Sequence, residues 1–515
     1  MAKRLRKTIF IKNAVILTGA SLLLRFAGII FKVWLAAEIG SEGIGLYQLI
    51  FSFYVLASTF ATSGISTAVT RLVAEESALG SKSGILKILH RAISITLLLA
   101  VLTVAVVYFS AETIAVRLIG DKRAVAALKI LPFSLPFMGI SSCYRGYFIA
   151  REKVTPNVFT QIMEQILRIL LCLFLVKKFA SRGLSQASAA VMAGDVFSEI
   201  LGFVLLYAIF FFDKRKLSTA GRKNPPFSVA GKIVNIALPI TSGRYLNSIL
   251  RTFENVLVPK TLSKHSLNSQ SALSQFGMIK GMALPILFFP SAILNAVSTL
   301  LIPEISRNVA LGRQGVVKES VRKILKLTSV MSFVFAAIFL VAGDKIGLLI
   351  YKEKTVGFLI KALAPIVPFM YLDSISDGIL KGLDQQRFTF KSAISDSVIR
   401  ILLIISVVKV WGLIGFIGIM YFSNFLTCFL NVGRLLKVSG AKLDFSKEIV
   451  LPILLATAIS FIFNTVLERL GIENNLVYII FLVVLTISGY FVVLLNLKIV
   501  SAEMFNIGKK KSLPC

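Results

Sequence analysis

Two histidines, four cysteines and two tryptophans are spread over 515 residues, and 25 acidic side chains face 57 lysines and arginines. Each scarcity excludes something. Histidine is the usual general base and metal ligand near neutral pH, and His90 and His265 stand alone in predicted loops with no partner in sequence. Cys143, Cys172 and Cys428 fall within apolar runs and Cys515 is terminal; no pair has metal or redox spacing, which leaves packing as their role. The predicted loops are short and hold no cluster of His, Asp or Cys, so a membrane glycosyltransferase or phosphatase lacks its acid–base or nucleophilic set. No enzyme activity, cofactor or metal is therefore expected. A cleavable leader is missing too, because the first apolar run is too long and lacks a small-residue cleavage site.

What is abundant is apolar sequence: 56% of residues are hydrophobic and mean hydropathy is +0.83. About fourteen apolar runs reach membrane length, which predicts an all-α polytopic membrane protein with about 14 transmembrane helices. The net charge of +32 is explained by topology, without nucleic acid. Placing Lys3, Arg4, Arg6, Lys7 and Lys12 in the cytoplasm and alternating the loops puts roughly 34 Lys/Arg inside and roughly 13 outside. The segments from Lys214 to Lys232 and from Arg307 to Lys326 are the richest inside loops, and the Lys509–Lys511 cluster agrees. A cell-membrane location with both termini cytoplasmic follows, with basic loops suited to anionic lipid headgroups. Trp34 and Trp411 suit interfacial belts.

The chain repeats itself. Ile65-Ser66-Thr67 returns as Val297-Ser298-Thr299, and ILRILL at 166–171 returns as VIRILL at 398–403, both shifted by 232 residues. Pro132-Phe133 with Arg145-Gly146 returns as Pro368-Phe369 with Lys381-Gly382, shifted by 236. This predicts an N-terminal six-helix lobe at 8–213, a cytoplasmic linker at 214–227 broken by two prolines, and a C-terminal six-helix lobe at 228–437. Two additional transmembrane helices at 448–497 have no counterpart. Two lobes in parallel repeat can enclose a central space that opens to either side in turn, the architecture of a carrier. One chain supplies both lobes, so a monomer is sufficient.

Charge inside apolar runs marks the candidate sites. Arg25 and Lys32 are seven residues apart and share a helical face to within about 20°, with Gly28 between them leaving open space. Arg25 is mid-span; Lys32, near the helix end, could instead snorkel to the interface. Arg244, Asn247, Arg251 and Glu254 fall at i, i+3, i+7 and i+10, again one face. These two runs open the two lobes, so four cations could converge on the central space. Arginine grips phosphate oxygens in a fork that lysine cannot form, which makes an anionic phosphate group a natural cargo. Lobe-to-lobe pairing, such as Arg25 with Glu254, is the alternative. Glu164–Arg168 and its repeat Asp396–Arg400 are i, i+4 pairs read as structural ion pairs within each lobe. Asp195 and Glu199 form an acidic pair that could hold a cation or proton, or pair with a neighbouring helix. Asp377 and Lys381 can pair, with Asp373 one turn before them. Gln48, after the Gly43/Gly45 turn, reads as a polar loop edge that could touch a sugar.

GSEGIGLYQL (40–49), TSGISTAVTRLVAEE (62–76) and LPITSGRYLNSILRTFENVLVP (238–259) resemble the stage V sporulation protein B family. That family lies in the polysaccharide-transport branch of the multidrug/oligosaccharidyl-lipid/polysaccharide exporter superfamily, related to MurJ-type lipid II flippases. The resemblance covers nearly the whole chain. It implies a transporter of two six-helix lobes, with two further helices accommodating a lipid tail. The implied cargo is an undecaprenyl-pyrophosphate-linked peptidoglycan precursor, flipped from the cytoplasmic to the outer leaflet for spore cortex synthesis. Membrane lipids and cell-wall synthesis proteins are the implied partners. Arg25 and Gly28 match the first helix of MurJ-type proteins, whereas Phe31-Lys32 replaces their Arg-Asp pair. A small-molecule cation antiporter of the same superfamily is disfavoured by the cationic stripes, since a cation site wants acidic and aromatic linings. A non-transporting scaffold of the cell-wall machinery would not need buried charge.

Overall fold

The computed structural model describes residues 2–62, 64–217 and 228–499, with side chains described from Ile16 onward apart from those of 296–301, 303 and 304. The linker prolines, the Lys509–Lys511 cluster, Cys515 and the side chains of Lys3 to Lys12 lie outside what is described. Among the described residues the protein is all-α, with no strand. This follows from the bilayer: with no water to satisfy backbone groups, a helix that closes its own hydrogen bonds is one of the few segments that can cross.

Eleven helical stretches are long and apolar enough to cross a membrane. Two of them are more than twice as long as one crossing requires. Ile16–Ala78 has 63 residues, about 95 Å at 1.5 Å per residue, against about 30 Å of hydrocarbon. Gln386–Ser439 has 54 residues and breaks at Gly412. The first stretch turns at Gly40, whose φ of 70° is left-handed and open to glycine without strain. The helix bearing the Arg244 stripe is 38 residues long but too polar to be counted with the eleven. A count of fourteen crossings is thus not resolved as such.

The described chain forms two compact units. The first runs to Gly277 and includes Ile404–Gly412. It comprises α1 (Ala2–Thr62), α2 (Ile65–Ala78), α3 (Lys82–Thr113), α4 (Ala124–Ile130), α5 (Leu135–Ala150), α6 (Thr155–Phe179), α7 (Leu184–Asp213), α8 (Val229–Ser266) and α9 (Ser269–Gly277). One of its cores joins α2, α3, α5, α7 and α8 through Leu72, Ile88, Tyr147, Phe148, Phe210 and Ile233. In lipid such packing stabilises by close van der Waals contact, because lipid tails are as apolar as the side chains themselves. Close contact is extreme where α1 crosses α9: a Cβ on Gly45 would stand 2.1 Å from the Leu273 carbonyl oxygen. Ser41 and Ser274 share a hydroxyl–hydroxyl hydrogen bond of 2.6 Å beside that crossing. Compactness therefore groups α8 and α9, which open the second sequence repeat at 228, with the helices of the first repeat.

The second unit holds α10 (Leu284–Phe288), α11 (Ser291–Ala310), α12 (Gln314–Tyr351), α13 (Lys354–Leu363), α14 (Val367–Gly382), α15 (Gln386–Leu403), most of α16 (Lys409–Ser439), α17 (Leu451–Arg469) and α18 (Asn475–Asn496). The last two helices pack on α12 through Val330, Val334, Ala337, Ala456, Tyr490 and Leu494. Glu448, just ahead of α17, is buried and takes Arg322 Nη2 of α12 at 2.9 Å and Lys326 Nζ at 3.6 Å.

Three local expectations are corrected. Gln48 lies inside the helical second half of α1, since the chain turns at Gly40 and Gly43 and Gly45 continue the helix. His90 lies within α3, and His265 in the last turn of α8, where its ring fills the space that a Cβ on Gly412 would need. Apolar flanks of ordinary helical propensity carry a single polar residue as easily as a loop does, so sequence alone misplaced all three.

Candidate functional site

Arg25 and Lys32 sit on the first half of α1, an unbroken helix up to Gly40. Thr18, Ser21, Arg25, Gly28 and Lys32 recur at helical spacing and form one stripe of small, polar and cationic residues. Arg25 is exposed and Lys32 half-buried. A Cβ on Gly28 would meet nothing within 4 Å, so the space beside the two cations is open. Neither forms an ion pair or hydrogen bond with another described residue, and the pairing of Arg25 with Glu254 is not formed.

The second stripe lies on α8. That helix packs antiparallel to the second half of α1. Tyr245 Oη donates to the Phe60 carbonyl (3.2 Å), Thr252 Oγ1 to the Ser52 carbonyl (3.3 Å), and Asn255 Nδ2 to Ser52 Oγ (2.9 Å). The Phe60 and Tyr245 rings stack at 4.3 Å. Tyr245, Ser248, Thr252 and Asn255 thus make the seam. Arg244, Asn247, Arg251 and Glu254 each come one residue earlier, about 100° round the helix from it. Arg244 and Arg251 are exposed, Asn247 is half-buried and Glu254 is buried. Neither arginine has an ion-pair partner among the described residues, whereas Glu254 does interact. Four cations are thus presented without carboxylate partners. The hydrogen bonds from Tyr245, Thr252 and Asn255 of α8 go to the half of α1 beyond Gly40.

A second charged centre is knit together by ion pairs. Arg168 Nη2 takes Glu164 Oε1 at 3.1 Å, and Arg145 Nη2 of α5 takes Glu164 Oε2 at 2.8 Å. Arg168 Nε lies 3.0 Å from Asp195 Oδ1 of α7, an ion-pair contact whose angle falls short of a hydrogen bond. The i, i+4 pair expected on α6 is therefore one link of a network across α5, α6 and α7. Asp195, without a cation in its own sequence neighbourhood, obtains one from α6. Beside it Tyr54, Ser134, Met192 and Asp195 line a crevice too narrow for water.

The repeat of this pair in the second unit has different company. Arg400 Nη2 binds Asp396, which also accepts a 2.5 Å hydrogen bond from Ser423 Oγ. Asp373 accepts from Asn431 Nδ2 at 2.7 Å, and Lys381 pairs with Asp377 at 2.5 Å. Two groups went unnoticed in sequence as charged participants: Arg145, quoted only for the repeat, and Lys280. The latter sits on a π-helical turn, Met278–Ala283, with its ammonium 6.0 Å from the Phe416 ring centroid. A lone lysine within an apolar run was the available signal for it. Outside the spans, Arg123 binds Asp121 (2.7 Å) and Glu42 (2.6 Å). The Asp121 hydrogen bonds, with the one to Glu42, hold its guanidinium even more firmly protonated than usual.

Comparison with known proteins is decisive at the level of family. Residues 10–309, more than half of the chain, match the polysaccharide biosynthesis protein family. The chain belongs to that family. Among curated relatives, stage V sporulation protein B of Bacillus subtilis (strain 168) is 28% identical over 382 residues, 73% of this chain and 74% of the relative. The fold is shared with lipid II flippase MurJ in an inward closed conformation. That structure superposes with a TM-score of 0.70 at 17% identity, covering 94% of this chain and 100% of that one. An inward-facing multidrug resistance MATE family transporter of the MOP superfamily gives 0.63 at 11% identity, covering 84% and 100%. This member of the family is thus a multi-pass membrane protein with a MurJ- and MATE-like transporter fold.

Proposed function

We propose that this chain is a flippase. It carries an undecaprenyl-pyrophosphate-linked peptidoglycan precursor, resembling lipid II, from the cytoplasmic to the outer leaflet by alternating access, in the service of spore cortex synthesis. The observation that carries the reading is the set of cations without carboxylate partners: Arg25 and Lys32 beside open space on α1, and Arg244 and Arg251 on one face of α8. A cation held in an apolar span costs a few kcal/mol unless a polar partner compensates it, and a diphosphate supplies that partner for several at once. Asn247 and Glu254 complete the α8 face, Asn247 as a donor to headgroup oxygens and Glu254 as the acid that sets the local charge. The family assignment, the relative named for sporulation and the structural neighbour named as a lipid II flippase point the same way.

In this reading the six-helix repeats at 8–213 and 228–437 are the moving lobes, and α17 and α18 flank the lipid tail. Glu164–Arg168 and Asp396–Arg400 hold the helices of each lobe together, both termini are cytoplasmic, and one chain suffices. The test is headgroup accessibility. Purified protein is reconstituted into vesicles carrying fluorescent lipid II on one leaflet, and the fraction open to a membrane-impermeant quencher is followed over time. Label that equilibrates between leaflets supports the reading; label that stays on its original leaflet, with folded protein present, sinks it.

A further inference from the structure

The first unit buries an uneven set of charges. Arg145 and Arg168 bring two guanidiniums, while Glu164, Asp195 and Glu199 bring three carboxyls. Glu164 is held by both arginines and Asp195 by Arg168. Glu199, only 4% exposed, makes no ion pair with either, and its Oε1 is buried without a hydrogen-bond partner. One turn further along α7 a Cβ on Gly202 would lie 3.3 Å from Glu164 Oε2, which sets the Glu164 carboxyl beside the stretch of α7 that carries Glu199. Facing Glu199 from the packed elements are Tyr54 of α1, Arg145 of α5, Glu164 and Arg168 of α6, and Asp195 on its own helix.

Two neighbouring buried carboxyls cannot both be ionised at ordinary cost, because like charges repel strongly there and neither has a hydrogen to donate. An uncompensated charge in a buried, membrane-embedded network is equally costly. A metal ion would balance the charge too, but among the described residues no three or more His, Cys, Asp or Glu side chains are placed to hold one. The cation that two carboxyls can hold by themselves is a proton. We propose that Glu164 and Glu199 share one proton, making a proton-binding site between α6 and α7, on residues separate from the cationic stripes. Glu199 carries it and donates through it to Glu164, leaving two carboxylates balanced by two guanidiniums. The unit then has two charge states that differ by a single proton. This inference does not depend on what the protein transports.

Infrared spectroscopy of the purified full-length protein reads the site directly. At neutral pH the wild type is expected to show the carbonyl stretch of a protonated carboxyl, shifted by exchange into D2O. In Glu199→Gln one such band is lost, while abundance and melting temperature stay at the wild-type level, because the amide N–H replaces the O–H donor. In Glu164→Gln, two acids face two arginines, the proton is no longer needed, and the band is lost there too. A wild type without the band overturns the proposal, as does full band intensity in either variant. Failure of Glu199→Gln to fold also overturns it, since that marks Glu199 as an anion its surroundings require.

Discussion

Arg168 is the side chain whose loss should be felt most in the first unit. It bridges two helices, reaching Glu164 at 3.1 Å on its own helix and Asp195 at 3.0 Å on α7, with its side chain 28% exposed. Replacing it with glutamine affects the two acids unequally. Glu164 keeps Arg145 at 2.8 Å, but Asp195 has no other ion-pair partner among the described residues. One buried carboxylate is stranded, and stranding one partner of a buried pair costs about 3–5 kcal/mol. Arg168→Gln should therefore lower the thermal midpoint of the detergent-purified protein and its abundance in the membrane. Adding Asp195→Asn removes the stranded charge and should recover most of the loss, with a coupling between the two changes of about 1–3 kcal/mol. Both variants are measured by thermal unfolding with tryptophan-independent detection, since only two tryptophans are present. Wild-type stability in Arg168→Gln would refute the reasoning, as would a double variant no better than the single one.

Three further outcomes are expected. Arg25→Ala, Arg244→Ala and Arg251→Ala should each leave abundance unchanged yet weaken binding of lipid II by one to two decades, from about 1.5–3 kcal/mol per charge-assisted contact; Arg25→Lys should rescue only part, and normal binding by folded Arg25→Ala would remove the anion site. Impermeant thiol labelling of intact cells should reach Ser41→Cys and leave cysteines placed at 214–217 unmodified; labelling of the latter from outside would invert the topology. Glu448→Gln should loosen the attachment of α17 and α18 to α12, seen as faster proteolysis after α16, by no more than about 1 kcal/mol because Arg322 is half exposed and its charge is screened; unchanged proteolysis would show that the Val334–Ala456–Tyr490 packing suffices.

Much of this molecule is written along the chain. Apolar runs of membrane length require helices whatever their neighbours do, because a backbone in lipid must satisfy its own hydrogen bonds. The all-α membrane class, the polar stripes on α1 and α8 and the two i, i+4 pairs depend only on helical periodicity. They were therefore legible at residues 25 and 32, 244 to 254, 164 and 168, and 396 and 400. Family kinship was legible as well, since short motifs at 40–49 and 238–259 carry it.

What periodicity cannot decide is which face meets which neighbour. The repeat in sequence would cut the chain at 228, yet α8 and α9 pack with α1 into the first unit, because backbone contact at Gly45 and Leu273 depends on three-dimensional approach. Arg145 and Asp195 join the Glu164–Arg168 pair only because α5, α6 and α7 bring them within 3 Å. The excess carboxyl of Glu199 becomes visible once that pairing is known. Equal spacing in the repeat likewise gave Asp396–Arg400 a different surrounding, with Ser423 supplied by α16. Local sequence determines the helix and the face it offers; the charge balance of a buried site is a sum over helices far apart in the chain, and only tertiary structure performs that sum.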